Sequence, residues 1–197
     1  MDKIKKTGSA TSDLREIILS TALHLFTAKG YFNTSVHDIK RQAGISIGAV
    51  YHHFKSKEDI AKAIYEHLLE LMTNSMDQIV QNNPTTQARC KAVMAHLFDM
   101  TETHPDEMSF MLHAKHKEFM PSAIPICSSR PLTMMREMVA QGIADGEIRD
   151  MEITLATTCL FGGMFRMINL RLDGVIQTPL PDQLEALWEC GWTGVAR

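Results

Sequence analysis

Residues 45–57 read ISIGAVYHHFKSK, an aromatic and basic stretch in a chain whose net charge is −3. Ser46 is a good helix N-cap, and Ile45, Val50 and Phe54 recur at helical spacing. The stretch therefore predicts a short helix from Ser46 to about Phe54, with those three residues facing inward. Its other side chains have four possible partners, namely a hydrophobic core, a metal, a substrate or an anionic surface such as DNA.

The residues before this stretch predict a second short helix. Ser35 can cap it, with Asp38 three residues further on, and Gly44 ends it. Two short helices joined by a tight glycine turn form a helix-turn-helix. In that motif the second helix enters the major groove of DNA, and its N-terminal residues approach the base edges.

The side chains of the second helix suit this role better than they suit a metal or an enzyme site. Gly48 and Ala49 are small enough for close approach of the backbone, and Ile47 offers an apolar surface to a thymine methyl group. Hydroxyl, imidazole and ammonium groups at the remaining positions can reach phosphates. The predicted DNA-binding residues are Ser35, Ser46, Ile47, Gly48, Ala49, Tyr51, His52, Lys55 and Lys57.

The charge of the chain is unevenly distributed. Residues 1–57 carry a net charge of +5, and the remaining residues carry −8. A basic N-terminal quarter on an acidic body indicates a local polyanion-binding module.

The run from Leu14 to about Ile64 resembles the DNA-binding domain of TetR/AcrR-family transcriptional regulators. The matching positions are Ile45, Ser46, Gly48, Tyr51, Phe54, Lys57 and Asp59. The resemblance implies a homodimer that binds a roughly palindromic operator, usually as a repressor released by a small molecule. It does not decide between repression and activation. Position 47 is often polar in the family and is isoleucine here, so no base preference is carried over.

The rest of the chain shows helical periodicity and no β-alternation. The expected fold is all-α with about nine helices: a flexible basic arm (1–12), a helix-turn-helix domain (13–57), and a helical effector-binding and dimerisation domain (58–197). A long helix of about 57–81 joins the last two without a linker, so we expect them to be mechanically coupled. Three prolines make residues 120–131 irregular, as a lid or as a connector.

The resemblance implies that the last two helices form the dimer. Small residues in the first of these helices allow a neighbouring helix to approach closely, and both helices contain large apolar residues that can pack in an interface. Two subunits would then form a four-helix interface. An internal core without a dimer is the alternative. The predicted interface residues are Gly162, Gly163, Phe165, Leu184, Trp188 and Trp192.

The middle helices, where the family keeps its ligand cavity, are rich in methionine; the whole chain contains fourteen. Methionine adapts its shape and suits a pocket for an apolar or planar compound, although ordinary core filling explains any single one equally well. The predicted effector-pocket residues are Met72, Met76, Met94, Leu97, Met111, His113, Met135 and Met138.

His113 and His116 share one helix face and raise the question of a metal site. The neighbouring Lys115, Lys117 and Glu118 indicate a solvated face instead, so we predict no metal and no cofactor. Whether the pair contacts an effector or a metal stays open at this level.

No nucleophile–base pair, phosphate loop or metalloprotease motif is present, so the sequence does not predict an enzyme. Four dispersed cysteines, no signal peptide and no uncharged apolar run of membrane-spanning length predict a cytoplasmic protein without a membrane partner. The expected partners are double-stranded DNA, a small-molecule effector and a second copy of the chain. The alternative function is a ligand- or metal-binding helical protein whose helix-turn-helix does not read DNA.

Overall fold

The computed structural model describes residues 7–114 and 128–197, and the prediction of an all-α fold is confirmed. Within these ranges the single β contact is an isolated bridge between Ile148 and Ala196. The described helices are α1 (Thr7–Lys29), α2 (Val36–Ala43), α3 (Ile47–His53), α4 (Lys57–Asn82), α5 (Thr86–Thr103), α6 (Pro105–His113), α7 (Arg130–Ala144), α8 (Ile153–Leu172), a 3-10 turn (Leu180–Gln183) and α9 (Leu184–Thr193).

The chain divides into two compact units, and both divisions fall inside helices. The first unit contains α1, α2, α3, the part of α4 up to Leu68, and the end of α6 from Ser109. The second contains the rest of α4 from Leu69, then α5, the start of α6 up to Met108, and α7 to α9. The functional boundary expected after residue 57 stays a prediction.

Helix α1 begins at Thr7, six residues before the predicted start. Residues 7–12 are therefore helical, while residues 1–6 lie outside the described ranges, and the functional role of residues 1–12 stays a prediction. The small polar residues there carry no apolar periodicity that could reveal a helix. Extending an existing helix is nevertheless much easier than starting one, so weakly patterned residues can join it.

The long helix predicted for about 57–81 agrees with α4 to within one residue at each end. Helix α6 is described to His113, and most of the predicted irregular segment 120–131 lies outside the described residues. A 3-10 turn directly precedes the last helix, α9.

The first unit is built around the apolar faces of α1 to α4. Ile18, Ile39, Val50 and Ile60 have no measurable exposure, so each of the four helices contributes a fully buried residue to this unit. Helix α1 ends at Gly30, whose φ of 84° belongs to the left-handed region that favours glycine. This core holds α2 and α3 in place and leaves their outer faces to solvent.

The second unit depends on a close contact between the start of α5 and the end of α7. A Cβ atom at Gly142 would lie 2.6 Å from Thr86 Cγ2, so only glycine fits there. The Glu147 carboxylate then accepts hydrogen bonds from the backbone N–H groups of Thr86 (2.8 Å) and Gln87 (3.0 Å), which caps α5 from a distant part of the chain.

A bidentate ion pair joins the C-terminal ends of α5 and α8. Arg171 Nε lies 2.9 Å from Glu102 Oε1, and Arg171 Nη2 lies 2.8 Å from Glu102 Oε2. The hydrogen bonds from Arg171 are the main reason why the pKa of Glu102 is lowered. Leu180 N also donates to Glu102 Oε1 (3.0 Å), so the pair holds the loop that leads to α9.

Among the described residues, α8 is the one helix long and apolar enough to cross a membrane by length and composition. The sequence predicted no uncharged run of this length, and α8 does contain Arg166 and Arg171. Core helices of soluble proteins pass the same test, so this is weak evidence for a membrane. It does show that part of the outer face of α8 is apolar, with Leu155 53% exposed.

Candidate nucleic-acid interface

Helix α2 begins with a complete capping box. Asp38 N donates to Ser35 Oγ (3.1 Å), and Ser35 N donates to Asp38 Oδ2 (3.0 Å). The Ser35 hydroxyl in turn donates to the same carboxylate at 2.6 Å, and these bonds lower the pKa of Asp38. The hydroxyl of Ser35, a predicted phosphate ligand, is thus already engaged inside the motif.

The turn between α2 and α3 depends on Gly44. Its φ of 68° lies in the left-handed region, where an L-residue with a side chain would be strained. Ile45 N donates to Lys40 O (3.1 Å) across this turn. Helix α3 then begins at the Ser46 cap, whose hydroxyl oxygen accepts from Ala49 N (3.1 Å). These local bonds set the orientation of α3 relative to α2.

Helix α3 has a buried face and an outer face. Val50 and the C-cap residue Phe54 are buried in the first unit. The opposite face is open to solvent, and the Tyr51 side chain is 52% exposed. Among the predicted DNA-binding residues on and beside this helix, Ser46, Gly48, Tyr51, His52 and Lys55 are exposed, while Ile47 and Ala49 are half-buried.

Gly48 is not required by the packing of the protein itself. A Cβ atom there would meet only Ser46 Oγ, at 3.8 Å, and its backbone is ordinary helix. A glycine in a helix costs stability relative to alanine. Its presence on the outer face is explained if another molecule approaches the α3 backbone closely.

We expect Gly48→Ala to strengthen folding slightly and to weaken DNA binding at the same time. The alanine removes backbone freedom from the unfolded chain, which stabilises the fold by about 0.5 kcal/mol. Its methyl group would hinder close approach to the groove, and we expect a loss of about threefold or more in affinity for an operator fragment. Thermal unfolding and fluorescence anisotropy measure the two effects. Unchanged DNA affinity would contradict the assignment.

Lys57 has a role that the sequence did not predict. Its ammonium donates to the backbone oxygens of Tyr31 and Thr34, both at 2.8 Å, and lies 4.1 Å from the centroid of the Tyr31 ring. Desolvation by burial lowers the pKa of Lys57. The adjacent Glu58 accepts from Tyr31 Oη (2.9 Å), and burial is the main reason why the Tyr31 pKa is raised. Lys57 therefore fastens the loop between α1 and α2 to the start of α4.

A basic cleft, which was not predicted from the sequence, lies beside the turn between α2 and α3. It has a volume of about 450 Å³ and is lined by His37, Lys40, Arg41, Gly44 and Ile45. Arg41 pairs with Asp38. The signal in the sequence was the run HDIKR, which was interpreted only as helix α2. The cleft adds basic groups to the surface on which α3 lies.

The structure does not place the predicted effector residues in one unit. Met111 and His113 belong to the first unit, where Met111 is buried and His113 is exposed. The other six belong to the second unit, and all are buried. The predicted pocket for an apolar effector stays a prediction. These six residues are Met72, Met76, Met94, Leu97, Met135 and Met138.

One predicted dimer residue is buried within its own subunit. Trp188 is only 4% exposed and stacks on Trp192, with ring centroids 5.2 Å apart. Gly163 lies close to α9, since a Cβ there would be 3.1 Å from Leu187 Cδ1, but it is exposed. The other predicted residues are half-buried, namely Gly162, Phe165, Leu184 and Trp192.

A metal site is not formed by the described residues, which contain no group of three candidate ligands. His113 Nδ1 lies 3.5 Å from Ser109 Oγ, and His116 is outside the described ranges. The question of a histidine pair therefore stays open.

An N-terminal helix-turn-helix with an exposed second helix, followed by an all-helical second unit, defines a helical DNA-binding regulator. The family model for bacterial regulatory proteins of the tetR family matches residues 18–64. Residues 18–64 therefore form a DNA-binding domain of the TetR family, and the chain is a DNA-binding transcriptional regulator.

Individual relatives agree with this assignment. The transcriptional repressor KstR2 of Mycolicibacterium smegmatis is 26% identical over 153 residues, 76% of this chain and 75% of the relative. The regulator AcrR of Shigella flexneri is 40% identical over 62 residues, 32% of this chain and 29% of that protein. The structure of FadR from Bacillus subtilis in complex with stearoyl-CoA shares the fold, with a TM-score of 0.77 at 21% identity over 91% of this chain and 98% of that one. These relatives are transcription regulators and not enzymes.

Proposed function

We propose that this protein is a homodimeric repressor that binds a palindromic operator and is released from it by a small, largely apolar effector. The proposal rests on the outer face of α3. There Gly48, which the packing of the protein itself does not require, lies close to the exposed Tyr51. Such a regulator acts in the bacterial cytoplasm.

The proposed DNA-binding surface differs from the predicted one in two respects. Lys57 and the Ser35 hydroxyl are engaged inside the protein, so we assign phosphate contacts to Lys55 and to the basic cleft residues His37, Lys40 and Arg41. Base-edge contacts remain with Ile47, Gly48 and Ala49 at the start of α3.

Lys55 and Lys57 are expected to respond differently to the same substitution. Lys55→Met removes one phosphate contact, so the slope of log affinity against log salt should become shallower by about 0.9. Lys57→Met removes hydrogen bonds to two carbonyls, so it should lower the melting temperature and the DNA affinity without changing that slope. Binding isotherms at four salt concentrations distinguish these results. A shallower slope for Lys57→Met would reassign it to the DNA contact.

The dimer is supported by the exposed faces of the last two helices. Leu155, Cys159 and Gly162 follow one another at helical spacing on the outside of α8, and Ala186 and Cys190 are exposed on α9. A largely apolar helix face of this kind is stabilised when a second copy covers it, and two-fold symmetry matches a palindromic operator.

The effector proposal rests on composition and on the relatives. The second unit contains many buried methionines. The structure of FadR of B. subtilis was solved in complex with stearoyl-CoA, a ligand with a long apolar chain. Helix α4 is continuous and has residues in both units. A ligand that displaces this helix would change the separation between the two helix-turn-helix domains of the dimer. That separation must match major-groove positions about 34–36 Å apart. Coupling of this kind is typically about 1–3 kcal/mol.

The decisive experiment is selection of genomic fragments by the purified protein, followed by sequencing. An enriched inverted repeat that Tyr51→Ala fails to enrich would support a dimeric regulator that reads DNA through α3. A folded wild-type protein that enriches no sequence would favour the alternative, a ligand-binding protein whose helix-turn-helix does not read DNA.

A further inference from the structure

A small cleft opens in the second unit, and none of its lining residues is assigned to DNA or to the dimer. It has a volume of about 220 Å³ and lies among the end of α4, the start of α5 and one face of α7. Sites for drug-sized ligands usually measure about 300–1,000 Å³, so this cleft fits one end of such a ligand. Its lining residues are Asp77, Val80, Arg89, Arg130, Met134, Glu137, Met138 and Gln141.

The cleft has an apolar floor and a charged rim. Met134 and Met138 are both 4% exposed and form the floor together with Val80. On the rim, Arg130 Nη1 lies 2.9 Å from both carboxylate oxygens of Glu137, so these two charges offset each other. A molecule held here would have its apolar part on methionine and its polar part at the mouth.

Arg89 forms no ion pair with a carboxylate of the described residues, while the exposed Asp77 is the other carboxylate in the lining besides Glu137. Its Nε donates to the backbone oxygen of Asn83 at 2.8 Å, which orients the half-buried guanidinium. The two terminal nitrogens remain able to donate side by side. A fixed guanidinium with this geometry is suited to a carboxylate or a phosphate group.

We propose that the cleft binds the anionic head of an amphipathic effector, with Arg89 as the anion ligand. The first methylene groups lie on Met134 and Met138. The proposal rests on the proposed function insofar as it makes this ligand the effector. The head group is a carboxylate or the phosphates of an acyl-coenzyme A, which offer Arg89 the same chemistry.

The test is direct binding to the full-length protein by calorimetry with decanoate, decanoyl-coenzyme A and decan-1-ol. We expect the wild-type protein to bind at least one of the two anions, and to bind the alcohol at least tenfold more weakly. Arg89→Gln should lose that preference. The matched control is Arg136→Gln, which removes the same charge from an exposed position on α7 that does not line the cleft.

The melting temperature of each variant separates binding from folding, and we expect Arg89→Gln and Arg136→Gln to melt close to the wild-type protein. Equal anion affinity for wild type and Arg89→Gln, or no binding of either anion, would overturn the site. These results do not depend on DNA, so they are distinguishable from failure of the repressor proposal.

Discussion

Tyr51→Ala should weaken operator binding by more than tenfold and leave the melting temperature unchanged. The side chain is half exposed on the outer face of α3, so its removal creates no cavity in the first unit. Its hydroxyl and ring are placed to contact the sugar-phosphate backbone when α3 enters the groove. Anisotropy titration of a labelled operator fragment at moderate salt measures the loss.

Phe32→Ala provides the control for this variant. Phe32 is 65% exposed in the loop after α1, so its truncation removes a similar aromatic surface from the same unit without touching α3. We expect it to retain operator affinity within about twofold. If Tyr51→Ala binds as well as the wild-type protein, the assignment of Tyr51 is wrong.

Gly162→Arg should convert the protein to a monomer and reduce operator affinity by about 100-fold. Within the subunit the position has room, since the nearest atom to a Cβ there is Thr158 Cγ2 at 3.7 Å. In a dimer the same guanidinium would be buried without a partner, which is strongly unfavourable. A monomer engages one half-site at a time and loses the gain in avidity, which typically amounts to about 10²–10⁴.

Sedimentation analysis and operator titration measure the two consequences. Val175→Arg is the matched control, because Val175 is 68% exposed in the loop after α8 and lies off the proposed interface. It should remain dimeric. A dimeric Gly162→Arg protein with normal operator affinity would place the interface elsewhere.

Thiol labelling provides an independent measure of the same interface. Cys159 and Cys190 are exposed in the isolated subunit, while Cys90 is buried, and burial raises the pKa of its thiol to about 12. In the proposed dimer Cys159 is covered, so it should react slowly in the wild-type protein and rapidly in Gly162→Arg. Quantification of labelled peptides by mass spectrometry follows each cysteine separately.

The helix-turn-helix was predictable because its determinants are local. The Ser35 and Ser46 caps bond to residues three positions away, and Gly44 supplies a backbone conformation that no neighbour needs to impose. Capping groups and helical periodicity are visible within a few residues of sequence. The start of α1 was missed for the same reason, because the added residues have neither a cap signal nor an apolar stripe.

The amino-acid sequence by itself determined the all-helical fold, the position of the recognition helix and its outward face, since these follow from local spacing. Only the tertiary structure decided which residues meet: Lys57 with the oxygens of Tyr31 and Thr34, Glu147 with the start of α5, and Trp188 with its own subunit. Periodicity shows that a helix face will be buried but not what will cover it. The partners lie tens of residues away, and their distances are set by how the helices pack together.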